Sequence, residues 1–267
     1  MQHLIPYLAV AFIYLAVAAD FWRDTKIKSA QSLKLHLVMI ALGLIIHAWL
    51  LYQGIFANGF NLGFYNALSA IFWLTVLVYW LANLQLVLYS LQAFVLPPAA
   101  IFALVPAFEV SNHYLPEATQ PLFMVHIGIA LLAYSLFTFA ALHALLMLFA
   151  ERQLHNKTSL IKLPSFPPLM VMEGLLFKVI TSGFVLLTIT LISGMLFSER
   201  IFGQPLEFTH KIVFSIASWL IYGGLLFGRY QYGWRGKKAI NLTLTGFVLL
   251  LLAYVGSKFI LQVMLGR

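Results

Sequence analysis

The sequence predicts an all-α, polytopic bundle of about eight membrane-crossing helices, and three observations lead there. Hydrophobic residues fill 62% of the 267 positions and charged residues only 9%, against roughly 25% charged in a soluble domain. The apolar residues come in runs near the roughly 20 needed to cross the hydrocarbon core, and mean hydropathy is +0.94. Short polar stretches punctuate the runs, such as Asn58-Gly-Phe-Asn61 and Leu163-Pro-Ser-Phe-Pro-Pro168. The expected spans are 3–19, 34–53, 66–83, 86–106, 121–149, 171–197, 209–228 and 240–264. No soluble domain interrupts them, so 1–267 reads as one transmembrane domain.

Individual elements carry their own signals. The first span ends in the small-residue stretch Ala16-Val-Ala-Ala19, as a cleavable leader would. No basic segment precedes it, however, and Arg23, Lys26 and Lys28 follow, which is the pattern of a retained helix with its N-terminus outside. The fourth span holds Pro97-Pro98, which should kink it or break it into half-helices, with a re-entrant element as one outcome. Absence of cysteine excludes disulfides, thiolate metal sites and thiol redox chemistry in this chain.

The net charge of +8 would suggest nucleic acid if it were one patch. It is distributed as topology instead. Arg23, Lys26, Lys28, Lys34, Arg152, Lys157, Lys162, Lys178, Arg229, Arg235, Lys237 and Lys238 flank one set of connections. Arg200, Lys211, Lys258 and Arg267 flank the other. Twelve against four places both termini outside and the 150s and 230s loops in the cytoplasm. The partner this charge pattern implies is the lipid bilayer, not nucleic acid. The loop Gly228-Arg-Tyr-Gln-Tyr-Gly-Trp-Arg-Gly-Lys-Lys238 reads as a basic, aromatic interfacial anchor.

Histidines carry the functional signal. A titratable ring in the hydrocarbon layer is costly unless something uses it, and imidazole is a common ligand of metals and haem iron. His126 lies within two turns of the outer end of the fifth span, His47 near the outer end of the second, and His210 opens the seventh. Three rings on three helices thus share one layer. His3 and His113 are outside, at a chain end and in a loop, while His36, His143 and His155 belong to the inner half. His143 is 17 positions below His126, about 25 Å along a straight helix. One group cannot easily use both, although an inner site at His143 is conceivable.

The convergence admits a three-imidazole metal site or haem b. The neighbourhood favours haem: Ala130, Ala133 and Gly43 keep helix surfaces flat, and Phe123, Phe137, Trp49 and Tyr52 offer apolar walls. Lys211, Arg200 or Lys258 would pair with propionates, and no acidic residue accompanies the histidines within the spans. The plain alternative is that these histidines hydrogen-bond between helices. Glu173 and Lys178, near the inner end of the sixth span, snorkel or pair. No nucleophile–base pair, P-loop or dinucleotide motif is present.

The stretch His126-Ile-Gly-Ile-Ala-Leu-Leu-Ala-Tyr-Ser135 resembles the outer-histidine helix of the CcsA/HemX-like cytochrome c assembly family. Leu163-Pro-Ser-Phe-Pro-Pro-Leu169, Leu186-Leu-Thr-Ile-Thr-Leu-Ile-Ser-Gly194, Gly233-Trp-Arg-Gly236 and Leu252-Ala-Tyr-Val-Gly-Ser-Lys-Phe259 continue the likeness. It is firm over 120–267 and looser over 1–119, where His47-Ala-Trp-Leu-Leu-Tyr52 carries it. The resemblance implies a haem-handling protein of a bacterial inner membrane, with an accessory role in cytochrome c biogenesis beside other assembly or membrane-complex subunits. His126 matches the family's outer axial histidine. The connection Ser198-Glu-Arg-Ile-Phe-Gly-Gln-Pro-Leu-Glu-Phe-Thr209 lacks the tryptophans of the haem-presenting loop. Gly228-Arg229 and Leu265-Gly266 stand where the family has further histidines. The HemX-like branch is therefore indicated and haem lyase activity is not expected. The rival expectation is a non-haem transporter or regulatory membrane subunit.

Overall fold

The computed structural model describes residues 4–23, 30–57, 59–86, 88–108, 120–155, 168–202 and 210–256. Among these the regular elements are helices: α1 (Ile5–Arg23), α2 (Ala30–Phe56), α3 (Phe64–Gln85), α4 (Gln92–Leu104), α5 (Pro121–His155), α6 (Leu169–Phe202), α7 (His210–Tyr232) and α8 (Gly236–Leu251). A π-helical turn, Leu252–Gly256, ends α8. Seven segments are long and apolar enough to cross a membrane, whereas the apolar part of α1, Ile5–Phe21, is shorter. The chain divides into two compact units. The first holds Met1–Tyr114 and Leu145–Met172, the second Leu115–Ala144 and Glu173–Arg267.

In the first unit α4 packs against α1 and α3, and α2 against α1 and α3. Lipid offers no hydrophobic drive between helices, so close fit and interhelical hydrogen bonds must hold them. Both are visible. A Cβ on Gly43 would stand 2.6 Å from a Tyr14 ring carbon, so only glycine lets α1 and α2 meet there. Trp73 and Trp80, two turns apart on α3, donate their indole N–H groups to the Leu44 and Leu37 carbonyls of α2 at 2.9 and 3.0 Å.

Pro97 and Pro98 do not break α4, contrary to the half-helix expectation. The helix runs through them and is extended by 3₁₀ turns at Tyr89–Leu91 and Val105–Ala107. The prolines cost two backbone donors. The buried face of Ala93, Val95, Leu96, Ala99, Ala100 and Ala103 is mostly small, and permits the close packing that offsets the loss.

In the second unit one layer joins all four helices. Phe137 of α5 lies 3.1 Å from where a Cβ on Gly183 of α6 would sit. Its other side stacks on Tyr222 of α7, centroids 4.0 Å apart, and Tyr222 fills the space beside Gly246 of α8. Ser218 and Tyr222 donate to the Gly246 and Thr243 carbonyls at 2.8 and 3.1 Å, tying α7 to α8. At the turn between them, Gly233 (φ 64°) and Gly236 (φ 54°) adopt the left-handed conformation that favours glycine.

Candidate functional site

His126 stands five residues into α5 and is half-buried. Its Nδ1 is 2.7 Å from the Ser193 hydroxyl of α6. Ser193 Oγ is in turn 2.7 Å from the Ile189 carbonyl and 3.2 Å from that of Thr190. The Phe123 ring lies nearly parallel to the imidazole at 6.5 Å. Gly194 faces it, so that a Cβ there would lie 3.6 Å from His126 Cε1. His210 and Lys211 open α7 in the same unit, both exposed. Lys211 Nζ sits 5.9 Å from the Tyr254 ring centroid and within electrostatic range of His126. Tyr254 packs on Tyr134 at 5.4 Å, two turns below His126 on α5.

His47 belongs to the other unit and is 1% exposed. Both its ring nitrogens are engaged, Nε2 with Ser69 Oγ at 2.9 Å and Nδ1 with the Tyr14 hydroxyl at 3.5 Å. Gly43, expected to keep a surface flat, is covered by Tyr14. Trp49 and Tyr52 are largely exposed, while Phe137 and Ala133 are committed to the interior of the second unit and Ala130 keeps some surface. His143 is fully buried beside Phe139, ring centroids 6.0 Å apart. His3, His113, Lys258 and the segment 156–167 lie outside the described residues, as do the side chains of His155 and Arg200. Among the described residues no three His, Asp or Glu side chains gather to hold a metal ion.

Two clusters go beyond what the sequence suggested. At one end of the first unit His36 Nε2 pairs with Asp20 Oδ2 at 2.9 Å. The Tyr89 hydroxyl also donates to that oxygen, at 3.4 Å, while its ring stacks on His36. Nearby in chain and space, the Tyr79 and Ser90 hydroxyls and the Gln92 amide are buried without a hydrogen-bond partner among the described residues. Asp20, an acid at the end of an apolar run, was the legible signal. In the second unit Glu173 is held by Arg229 at 2.6 Å and Arg235 at 3.2 Å, not by Lys178. Arg229 also lies over the Phe177 ring.

With seven helices among the described residues long and apolar enough to cross a membrane, and with the relatives given below, this is a multi-pass inner-membrane protein. It belongs to the cytochrome c assembly protein family, whose model matches residues 35–265. Inner membrane protein YpjD of Escherichia coli strain K12 is 38% identical over 172 residues, 62% of this chain and 64% of that protein. The match thus spans just under two thirds of that relative's length. Cytochrome c biogenesis protein CcsA of Prochlorococcus marinus strain AS9601 is 24% identical over 283 residues, 94% of this chain and 90% of the relative. The protein of the same name from Synechococcus sp. strain RCC307 is 23% identical over 286 residues, with 96% and 92% covered. No solved structure matches the chain.

Proposed function

We propose that this protein binds b-type haem near the outer leaflet and serves haem handling in cytochrome c biogenesis, as a member of the branch without the tryptophan-rich loop. The observation that carries the reading is His126: a half-buried imidazole, anchored by Ser193 and faced by a glycine, in a chain of this family. That environment fits an axial ligand, because the ring is held yet not sealed inside the protein. His126 would supply one axial imidazole. His210, exposed in the same unit, is preferred to His47 for the second, since His47 would first have to give up bonds to Ser69 or Tyr14. Lys211, with its ammonium beside this region, is suited to a propionate. Bound haem would supply an iron centre that changes oxidation state.

Absorption spectra of the purified protein, oxidised and dithionite-reduced, test this. The expected result is a Soret band with sharp reduced α and β bands, most of it lost in His126→Ala while the protein still inserts. Full haem retention in that variant sinks the site. A colourless protein that also fails to take up added haem sinks the function. That second outcome would favour the non-haem transporter or regulatory subunit, for which the Asp20–His36–Tyr89 cluster is the supporting observation.

A further inference from the structure

We propose that Ser193 is a positioning residue for His126, fixing the ring in the tautomer whose lone pair lies on Nε2. This rests on the haem-binding reading above and names the atom that would meet the iron.

A single hydroxyl proton decides the tautomer. The Ser193 hydroxyl carries one hydrogen and has three polar neighbours: His126 Nδ1 at 2.7 Å, the Ile189 carbonyl at 2.7 Å and the Thr190 carbonyl at 3.2 Å. A carbonyl oxygen can only accept. If the hydroxyl hydrogen pointed at His126, Ser193 Oγ and the Ile189 oxygen would face each other at 2.7 Å with no hydrogen between them. That is a contact between lone pairs. Donation back to the carbonyl one turn earlier removes it, and Thr181, Thr188 and Thr190 on the same helix make that bond, each at 2.8 Å. Ser193 Oγ is then the acceptor, and His126 Nδ1–H must be the donor. A neutral imidazole protonated on Nδ1 keeps its lone pair on Nε2.

The chain of bonds is therefore Nδ1–H to Oγ, and Oγ–H to a helix carbonyl. It fixes the tautomer and orients the ring, and an acceptor on the far nitrogen makes the ligating nitrogen more basic. The neighbouring Gly194 leaves the Cε1 edge of the ring at ordinary van der Waals distance even for a methyl group. His47 shows the contrast. Hydroxyl groups meet both of its nitrogens, with Ser69 at Nε2 and Tyr14 at Nδ1, so its bonds cross-link helices and no helix carbonyl on a shared hydroxyl sets its tautomer.

The test begins without haem. The full-length protein, labelled with ¹⁵N-histidine and held haem-free in lipid nanodiscs, should show a protonated Nδ1 and an unprotonated Nε2 for His126, assigned by the signal lost in His126→Gln. A protonated Nε2 in the neutral ring overturns the inference. Haem titration then compares Ser193→Ala with Ser193→Thr, which keeps the hydroxyl. Loss of an outer-sphere partner of this kind typically weakens binding about 10–100-fold. That loss is expected in the alanine variant, with a raised midpoint potential because the imidazole becomes less basic, and the threonine variant should restore both. Equal behaviour of the two variants overturns the inference. The two failures separate cleanly. Haem retained in His126→Ala removes the haem site and leaves the tautomer measurement standing. Haem lost there but unchanged in Ser193→Ala removes the role of Ser193 alone.

Discussion

His126 and His47 meet different groups at their ring nitrogens, and residue-scale experiments can tell them apart. His126 Nδ1 is anchored to Ser193, and His47 meets Ser69 at Nε2 and Tyr14 at Nδ1. Ser69→Ala should lower the thermal midpoint of the detergent-solubilised protein without touching His126. An orphaned buried donor or acceptor costs about 1–3 kcal/mol. An unchanged midpoint would mean that the Ser69–His47 bond adds nothing. Two glycines offer a second comparison. Gly43→Ala should destabilise by about 1–3 kcal/mol, as overpacking does, because its methyl would meet Tyr14 at 2.6 Å. Gly128→Ala has nothing within 4 Å of the added atom and should be neutral or slightly stabilising. Thermal unfolding of the pair checks both directions.

For whole elements, the question is what holds an irregular helix or a charged turn in place. α4 contains two prolines yet remains one helix, so its shape depends on the alanine-rich face turned to its neighbours. Ala99→Leu should therefore damage the first unit more than Pro98→Ala does. Restoring the backbone donor at position 98 should leave stability equal or higher, by protease resistance or thermal shift. A large loss on Pro98→Ala would show that the ring itself is needed. In the second unit, Glu173 links α6 to Arg229 and Arg235 around the α7–α8 turn. Glu173→Gln should loosen that turn, measured as faster proteolysis near residue 233, and Lys178→Ala should not.

For the molecule as a whole, hydropathy made most of the architecture legible. Long apolar runs separated by polar stretches mark spans, because the hydrocarbon core demands both apolar side chains and internally satisfied backbone. The seven helices of spanning length follow those runs. The apolar part of α1, Ile5–Phe21, is shorter, and the half-helix outcome expected of Pro97-Pro98 did not occur because proline rules describe an isolated helix, not one seated against α1 and α3. His126 stood out because a polar ring in an apolar run is rare. Its partner Ser193 did not, since the rotation of α6 against α5 is set by contacts far apart in sequence. For the same reason Asp20 and His36, 16 positions apart and on different helices, did not announce themselves as a pair. Depth, apolar neighbours and a loose family likeness joined His47 to His126, and none of these distinguishes a ligand from a cross-link.

The layer of Phe137, Gly183, Tyr222 and Gly246 has a consequence for traffic. Eleven residues separate Phe137 from His126 on α5, about 16 Å of helix. Below the histidine, the second unit is stopped by two stacked aromatic rings wedged against glycines. The layer is a stopper of closely packed side chains, with Phe137 and Tyr222 both buried. If a ligand is held at His126, this layer lies further along α5, and passage beyond it through the second unit would have to part the two rings. Gly183→Leu or Gly246→Leu would test the stopper by splitting it. Phe137→Ala would drill it out, at the roughly 3–5 kcal/mol typical of a vacated aromatic site. A protein that merely presents its cargo at one face would keep its binding through the drilling, whereas a conduit would have no reason to carry the plug.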